Sequence, residues 1–271
     1  MEKVRLSTFD FFAYISGGLA IMLAVSAAFT RLWGTGATVT IPDLSATQAV
    51  FLLAIAYIAG HVVACLAGVT MDQILAKQLL ERPSVWLFRK PLVVPHGSTE
   101  RAAIRAAERA ALRHDFPNAN RLQRLARALV RALDAAGWTS YGQRIDARSR
   151  ALMLDRLRAD GASITMADPY WAVMPAIYAA PGDTESRTAR VERFYQLSQF
   201  ARNLAAVAFA YCLMLSFTWL FGWTHSEPFG IGLGLQWLGG FALGVLLTLR
   251  YLKFFHLSTL EMFLIYSRTT T

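Results

Sequence analysis

Four stretches of the chain contain no Lys, Arg, Asp or Glu: Phe11–Thr30, Ala46–Thr70, Asn203–Gly222 and Phe229–Leu249. Each supplies the roughly 20 apolar residues that a helix rising 1.5 Å per residue needs to cross about 30 Å of hydrocarbon. The pattern therefore predicts four transmembrane helices. The first stretch could instead be a signal peptide, because Met1–Arg5 is basic and Ser26-Ala27-Ala28 resembles a cleavage site. Its apolar run is longer than the roughly 7–15 residues of a signal peptide. Ser7–Asp10 also reads as an N-cap box opening a long helix, so a retained span is expected.

Between the second and third spans the pattern changes. Asp72–Glu81 reads as a helical extension of the second span. Arg82–Ser98 contains Pro83, Pro91 and Pro95 and reads as a loop, with a short strand around Val85–Phe88. Helices are expected over Thr99–His114, Asn118–Ala136 and Gln143–Asp160, and then a segment rich in Pro and aromatics over residues 161–183. From Thr184, apolar residues at core spacing (Phe194, Leu197, Ala201, Leu204) run a helix straight into the third span. The expected fold class is an all-α polytopic membrane protein with a mainly helical cytoplasmic domain inserted between helices 2 and 3. Its divisions fall at residues 1–70, 71–202 and 203–271, the last including a cytoplasmic C-terminal tail.

Composition sharpens this picture. The 271 residues are 55% hydrophobic and 17% charged, with a net charge of +9. Soluble domains average about a quarter charged, so an ordinary cytosolic enzyme, a disordered tail and a disulfide scaffold are all excluded. Residues 72–202 hold 21 Lys and Arg against 13 Asp and Glu, and so carry +8 of the +9. Lys3 and Arg5 precede the first span, while Arg250 and Lys253 follow the fourth. The connections at 31–45 and 223–228 are nearly uncharged. By the positive-inside rule both termini and the insert face the cytoplasm, as in a multi-pass protein of a bacterial inner membrane. Trp33, Trp219, Trp223 and Trp237 fall at the opposite face, where an aromatic belt belongs.

Small residues recur every four positions in three spans: Ala56, Gly60, Ala64 and Gly68; Ser16, Ala20, Ala24 and Ala28; and Gly240 and Gly244, preceded by Gly230 and Gly234. Such stripes let backbones approach in a bilayer, either inside one subunit or between copies in a homo-oligomer. His61 lies near the middle of the second span with Tyr57 one turn away, and Gln236 is the only amide well inside a span. An ionisable group at that depth serves a pore or proton path, or else glues neighbouring helices together. Tyr57, Gly60, His61, Ala64, Gly68 and Gln236 are thus the candidate pore or packing residues. Cys65 and Cys212 both sit inside spans and read as packing residues.

The insert's arginines are patterned. Arg101, Arg105, Arg109 and Arg113 recur every four residues, tempered by Glu100 and Glu108. Arg121, Arg124, Arg127 and Arg131 share one helix face, Leu122, Leu125, Leu129 and Leu133 the other, and no acid occurs between Phe116 and Leu133. Guanidinium groups on adjacent turns repel unless an anion compensates, and Arg pairs bidentately with phosphate. Arg101, Arg105, Arg109, Arg121, Arg124, Arg127 and Arg131 are therefore the candidate anion-binding residues, for a nucleotide, an oligonucleotide, an acidic protein partner or lipid headgroups. A solvated face in an Arg-rich chain, with 23 Arg against 4 Lys, explains the same pattern without a ligand.

Catalytic signatures are missing. The chain has no GxSxG, HExxH, P-loop or GxGxxG. Lys77–Pro83 (KQLLERP) resembles a lipid-phosphate phosphatase motif, but its spacing is two residues short and the companion histidine motifs are absent. No catalytic residue, metal site or cofactor is expected. In layout, uncharged spans plus an Arg-rich insert, the chain resembles membrane effectors of bacterial anti-phage defence, in which a cytosolic sensor controls a pore. That resemblance implies an oligomeric channel gated by an anionic ligand at the insert. A non-catalytic scaffold or docking subunit is the alternative, and a lipid-modifying membrane enzyme a second.

Overall fold

A computed structural model describes residues 8–32, 45–80, 120–139, 184–221 and 231–268, together with Met153, Val173 and Ile177. Among these residues the chain is all-helical, and four helices are long and apolar enough to cross a membrane: Phe11–Phe29, Ala46–Leu80, Thr188–Leu220 and Gly232–Tyr266. We number the α-helices α1 (Thr8–Leu32), α2 (Ala46–Ala67), α3 (Arg121–Ala135), α4 (Thr184–Phe221) and α5 (Ile231–Arg268). At Gly68 α2 rewinds directly into a π-helical segment, Gly68–Leu80.

Local chemistry fixes where two of these helices begin and one ends. Ser45 caps α2 with a reciprocal box: its hydroxyl accepts from the Gln48 amide at 3.3 Å, and Gln48 Oε1 accepts from the Ser45 amide at 3.0 Å. Asn120 and Gln123 build the same box on α3, at 2.8 and 3.0 Å. The far end of α3 closes with a Schellman pair, in which the Trp138 amide donates to the Leu133 carbonyl and the Gly137 amide to the Asp134 carbonyl, both at 2.9 Å. Gly137 takes φ +76° there, a conformation that favours glycine.

Burial along the spans is arranged for lipid. Large apolar side chains such as Phe12, Phe51, Ile58, Leu213 and Leu238 face outward, while Ser198, Arg202 and Asn203 are buried. These three polar groups turn inward, where they can find hydrogen-bond partners that hydrocarbon does not offer. At 38 residues each, α4 and α5 extend about 57 Å at 1.5 Å per residue, well beyond the hydrocarbon thickness.

The chain divides into two compact units, Met1–Gln73 with Gln196–Tyr251, and Ile74–Tyr195 with Leu252–Thr271. In the first, α1 and α2 pack backbone to backbone: a Cβ added to Gly18 would meet the Ala56 carbonyl oxygen at 1.7 Å. In the second, Met153, Val173, Ile177, Val191, Met262, Phe263 and Tyr266 form a buried apolar cluster. Arg190 pairs with Glu261 at 3.3 Å, and Phe194 stacks on Phe254 at 6.4 Å.

Beyond the fourth apolar stretch the chain continues as helix and contributes to the core of the second unit. Leu252, His256, Thr259, Phe263 and Tyr266 are all buried, at alternating spacings of three and four residues. No glycine or proline follows Gly244, so nothing in the sequence stops α5 before Arg268. The expected strand at Val85–Phe88, the Ser7 cap and the helices over Thr99–His114 and Gln143–Asp160 lie largely or wholly outside the described residues.

Candidate functional site

Ala56, Gly60, Ala64, Gly68, Asp72, Ala76 and Leu80 follow one another at four-residue spacing, and none of the seven is exposed. Between the small residues the stripe carries one charge, Asp72. Arg202 of α4 answers it. This guanidinium is 8% exposed and contacts Asp72 directly through Nη1. Nη2 donates to the Ala64 carbonyl at 3.4 Å, while Nε and Nη2 donate to Asn203 Oδ1, also at 3.4 Å. The second carboxylate oxygen, Asp72 Oδ1, accepts from the Tyr251 hydroxyl of α5 at 2.7 Å. Gly68 borders the arrangement, where a Cβ would lie in ordinary contact with Arg202 Nη1 at 3.8 Å.

One ion pair, its guanidinium buried and its carboxylate partly exposed, thus ties three helices of the first unit together. Taking two charges out of water is repaid only when their hydrogen-bonding groups are filled, and here every nitrogen of the guanidinium and both carboxylate oxygens have partners. The π winding starts at Gly68, one turn before Asp72. Thr70 Oγ1 donates to the Leu66 carbonyl at 2.9 Å across that junction, a back-bond that bends helices. Long π-helical runs are rare, and π winding concentrates at functional sites.

A second cluster surrounds His61. Its ring stacks on Tyr14 of α1 at 4.0 Å with an interplanar angle of 21°, and meets Tyr57 edge-on at 4.6 Å. Phe11 lies 5.6 Å from Tyr57, so two aromatics of α1 and one of α2 gather around an imidazole that is itself exposed. Gln236 belongs elsewhere, paired with Tyr211 of α4 at 3.4 Å. The expected set therefore separates: Tyr57, Gly60 and His61 meet α1, Ala64 and Gly68 border the ion pair, and Gln236 joins the α4–α5 contact. That contact also contains Trp237 Nε1 donating to Ser216 Oγ at 3.1 Å, and Gly240, where a Cβ would come 3.0 Å from Cys212 Sγ.

Three glycines of the small-residue stripes are consequently occupied inside the chain. Gly60 faces Tyr14, Gly240 faces Cys212, and Gly244 faces the Phe209 ring, whose nearest atom would lie 2.9 Å from an added Cβ.

On α3 the four arginines of the expected face do not share one environment. Arg127 is 4% exposed, and its Nε donates to the Leu79 carbonyl at 3.1 Å. Gln123 Nε2 donates to the Gln78 carbonyl at 2.9 Å. The physical reason is that the Leu79 carbonyl offers the guanidinium a charge-assisted hydrogen bond that a leucine could not make. Arg127 is thus committed to protein. Arg121 and Arg124 remain exposed, and Arg131 is half-buried. Leu122, Leu125 and Leu129 are exposed instead, at 62, 69 and 60%. Arg101, Arg105 and Arg109 lie outside the described residues.

Asp72, Arg202, Asn203, Tyr251 and Tyr14 were not singled out by the sequence reading. Two signals pointed to the ion pair: the small-residue stripe reaches Asp72 at its next step, and Arg202 is the last charge before an apolar span. Among the described residues no group of three or more His, Cys, Asp or Glu could hold a metal ion. No protein-family model, curated protein or solved structure matches the chain.

Proposed function

We propose that this chain is a channel-forming membrane effector of a bacterial inner membrane, gated from its cytoplasmic side by an anionic partner. The observation that carries the reading is the Asp72–Arg202–Tyr251 junction, an ion pair across three helices that all contribute residues to the second unit as well. Such a pair, shared by three helices, is a two-state element: intact it fixes the helices, and broken it leaves two charges that demand water. Engagement of the Arg-rich insert by a nucleotide, an oligonucleotide or an acidic protein would bias that element, and copies of the chain would assemble around the pore. Charge-free spans suit a gate that closes by dewetting.

Flux from proteoliposomes tests this. Asp72→Asn removes the pair's charge balance and is expected to raise ion leakage over the parent. Absence of flux in the parent and in Asp72→Asn, with and without added nucleotides, overturns it. One observation favours the second reading, a non-catalytic scaffold: Gly60, Gly240 and Gly244 are all filled from within the chain and are not free to meet a second copy.

A further inference from the structure

The exposed face of α3 is apolar where a solvated helix would be polar. Leu122, Leu125 and Leu129 are more than half exposed, and Trp138, just beyond the helix, is 56% exposed. These leucines occupy one side at spacings of three and four residues, so they form a continuous stripe. Arg121 and Arg124 are exposed within the same turns, and residues 116–133 contain no acid. The opposite side is fastened in place. Gln123 and Arg127 grip the Gln78 and Leu79 carbonyls, and Val130 is buried at 5%.

We infer that α3 is an interfacial helix whose leucine stripe lies in an anionic bilayer surface, with Arg121 and Arg124 among the headgroup phosphates. Three features select lipid as the occupant. Leucines, arginines and a terminal tryptophan are the residue types that place a helix in the plane of a membrane interface. The positive charge at the stripe's edge complements phosphatidylglycerol or phosphatidylserine, each basic residue near such a surface contributing about 1 kcal/mol. Finally, the carbonyls that hold α3 belong to Ala46–Leu80, a helix long and apolar enough to cross the bilayer, only six or seven residues past Asp72. Arg127, buried against the protein, is the anchor that keeps the stripe turned outward.

The inference names a partner for exposed arginines that the gating reading leaves open, and it does not depend on conductance. The full chain, with Cys65→Ser and Cys212→Ser and an environment-sensitive dye on Leu125→Cys, is reconstituted into vesicles of phosphatidylcholine alone or with phosphatidylglycerol. In the anionic vesicles the dye is expected to shift to the blue, to be quenched by brominated lipid tails and to become severalfold less accessible to aqueous iodide. Arg121→Glu with Arg124→Glu should abolish the difference between the two lipids. Equal iodide access in both vesicle types overturns the inference. So does shielding that appears only at high protein-to-lipid ratio together with cross-linking between Leu125→Cys chains, which would make a second copy the occupant. A dye on Ala126→Cys, toward the packed side, reports whether the helix stays folded in each variant. A shielded Leu125 position in a protein that passes no ions would overturn gating alone.

Discussion

Gly60 of α2 and Tyr14 of α1 meet backbone to backbone: a Cβ on Gly60 would stand 1.9 Å from the Tyr14 carbonyl oxygen. No rotamer change relieves a clash with a main-chain oxygen, so the two helices must separate. Gly60→Ala is therefore expected to destabilise the first unit by at least the 1–3 kcal/mol, about, that overpacking costs in a well-packed interior. Gly18→Ala meets Ala56 in the same way and should act alike. Denaturant titration in micelles, read by the near-ultraviolet signal of the tyrosines, measures both. Near-parental stability for the two variants would contradict the close approach.

The same approach brings the His61 ring onto Tyr14. Their 4.0 Å stacking and the edge contact to Tyr57 are aromatic geometry, which phenylalanine can imitate without a titrating nitrogen. His61→Phe is expected to retain stability to within about 1 kcal/mol, and His61→Ala to lose about 1–2 kcal/mol. If His61→Phe preserves the fold but abolishes ion flux, the imidazole belongs to the conduction path. Unchanged flux assigns it to packing.

Much of the fold was legible because lipid imposes a coarse rule. A span must be apolar for about twenty residues, and four such runs stand out in the sequence. The continuity of α4 through Thr184–Phe221 was legible for a related reason, since its core spacing runs into the span without a breaker. The faces of α3 were not. Amphipathicity shows that a helix has two sides, but it does not show which side packs against protein. Arg127 goes inside because its Nε donates to the Leu79 carbonyl, a tertiary contact that no local pattern records. The ion pair was hidden differently. Asp72 and Arg202 are 130 residues apart, and each looked like an ordinary charge bounding a span.

Arg127 and Arg124 should consequently separate in experiment. Arg127→Ala leaves the Leu79 carbonyl without its charged donor and is expected to cost about 1.5–3 kcal/mol in the second unit. Arg124→Ala, at an exposed position, should change stability by less than about 0.5 kcal/mol. Proteolysis of the folded chain under native conditions orders them: cleavage between α3 and α4 should accelerate in Arg127→Ala alone. Equal rates in the two variants would mean that α3 is held by something other than the Arg127 bond.

The strongest energetic expectation concerns the Asp72–Arg202 pair, because its members fail differently alone and together. Arg202→Met strands Asp72 with only Tyr251 as partner, and Asp72→Leu strands a guanidinium that is 8% exposed. Each single change should cost about 3–5 kcal/mol, with Arg202→Met nearer the lower bound because Asp72 keeps a third of its side chain in contact with the surroundings. The double variant removes both charges and replaces them with apolar groups, so it should recover most of the loss. That non-additivity, read as a coupling energy from four denaturation curves, is the signature of a buried pair. Additive losses would show that the two residues act independently. Recovery of stability in the double variant while ion flux stays elevated would separate the pair's part in holding the helices from its part in the gate.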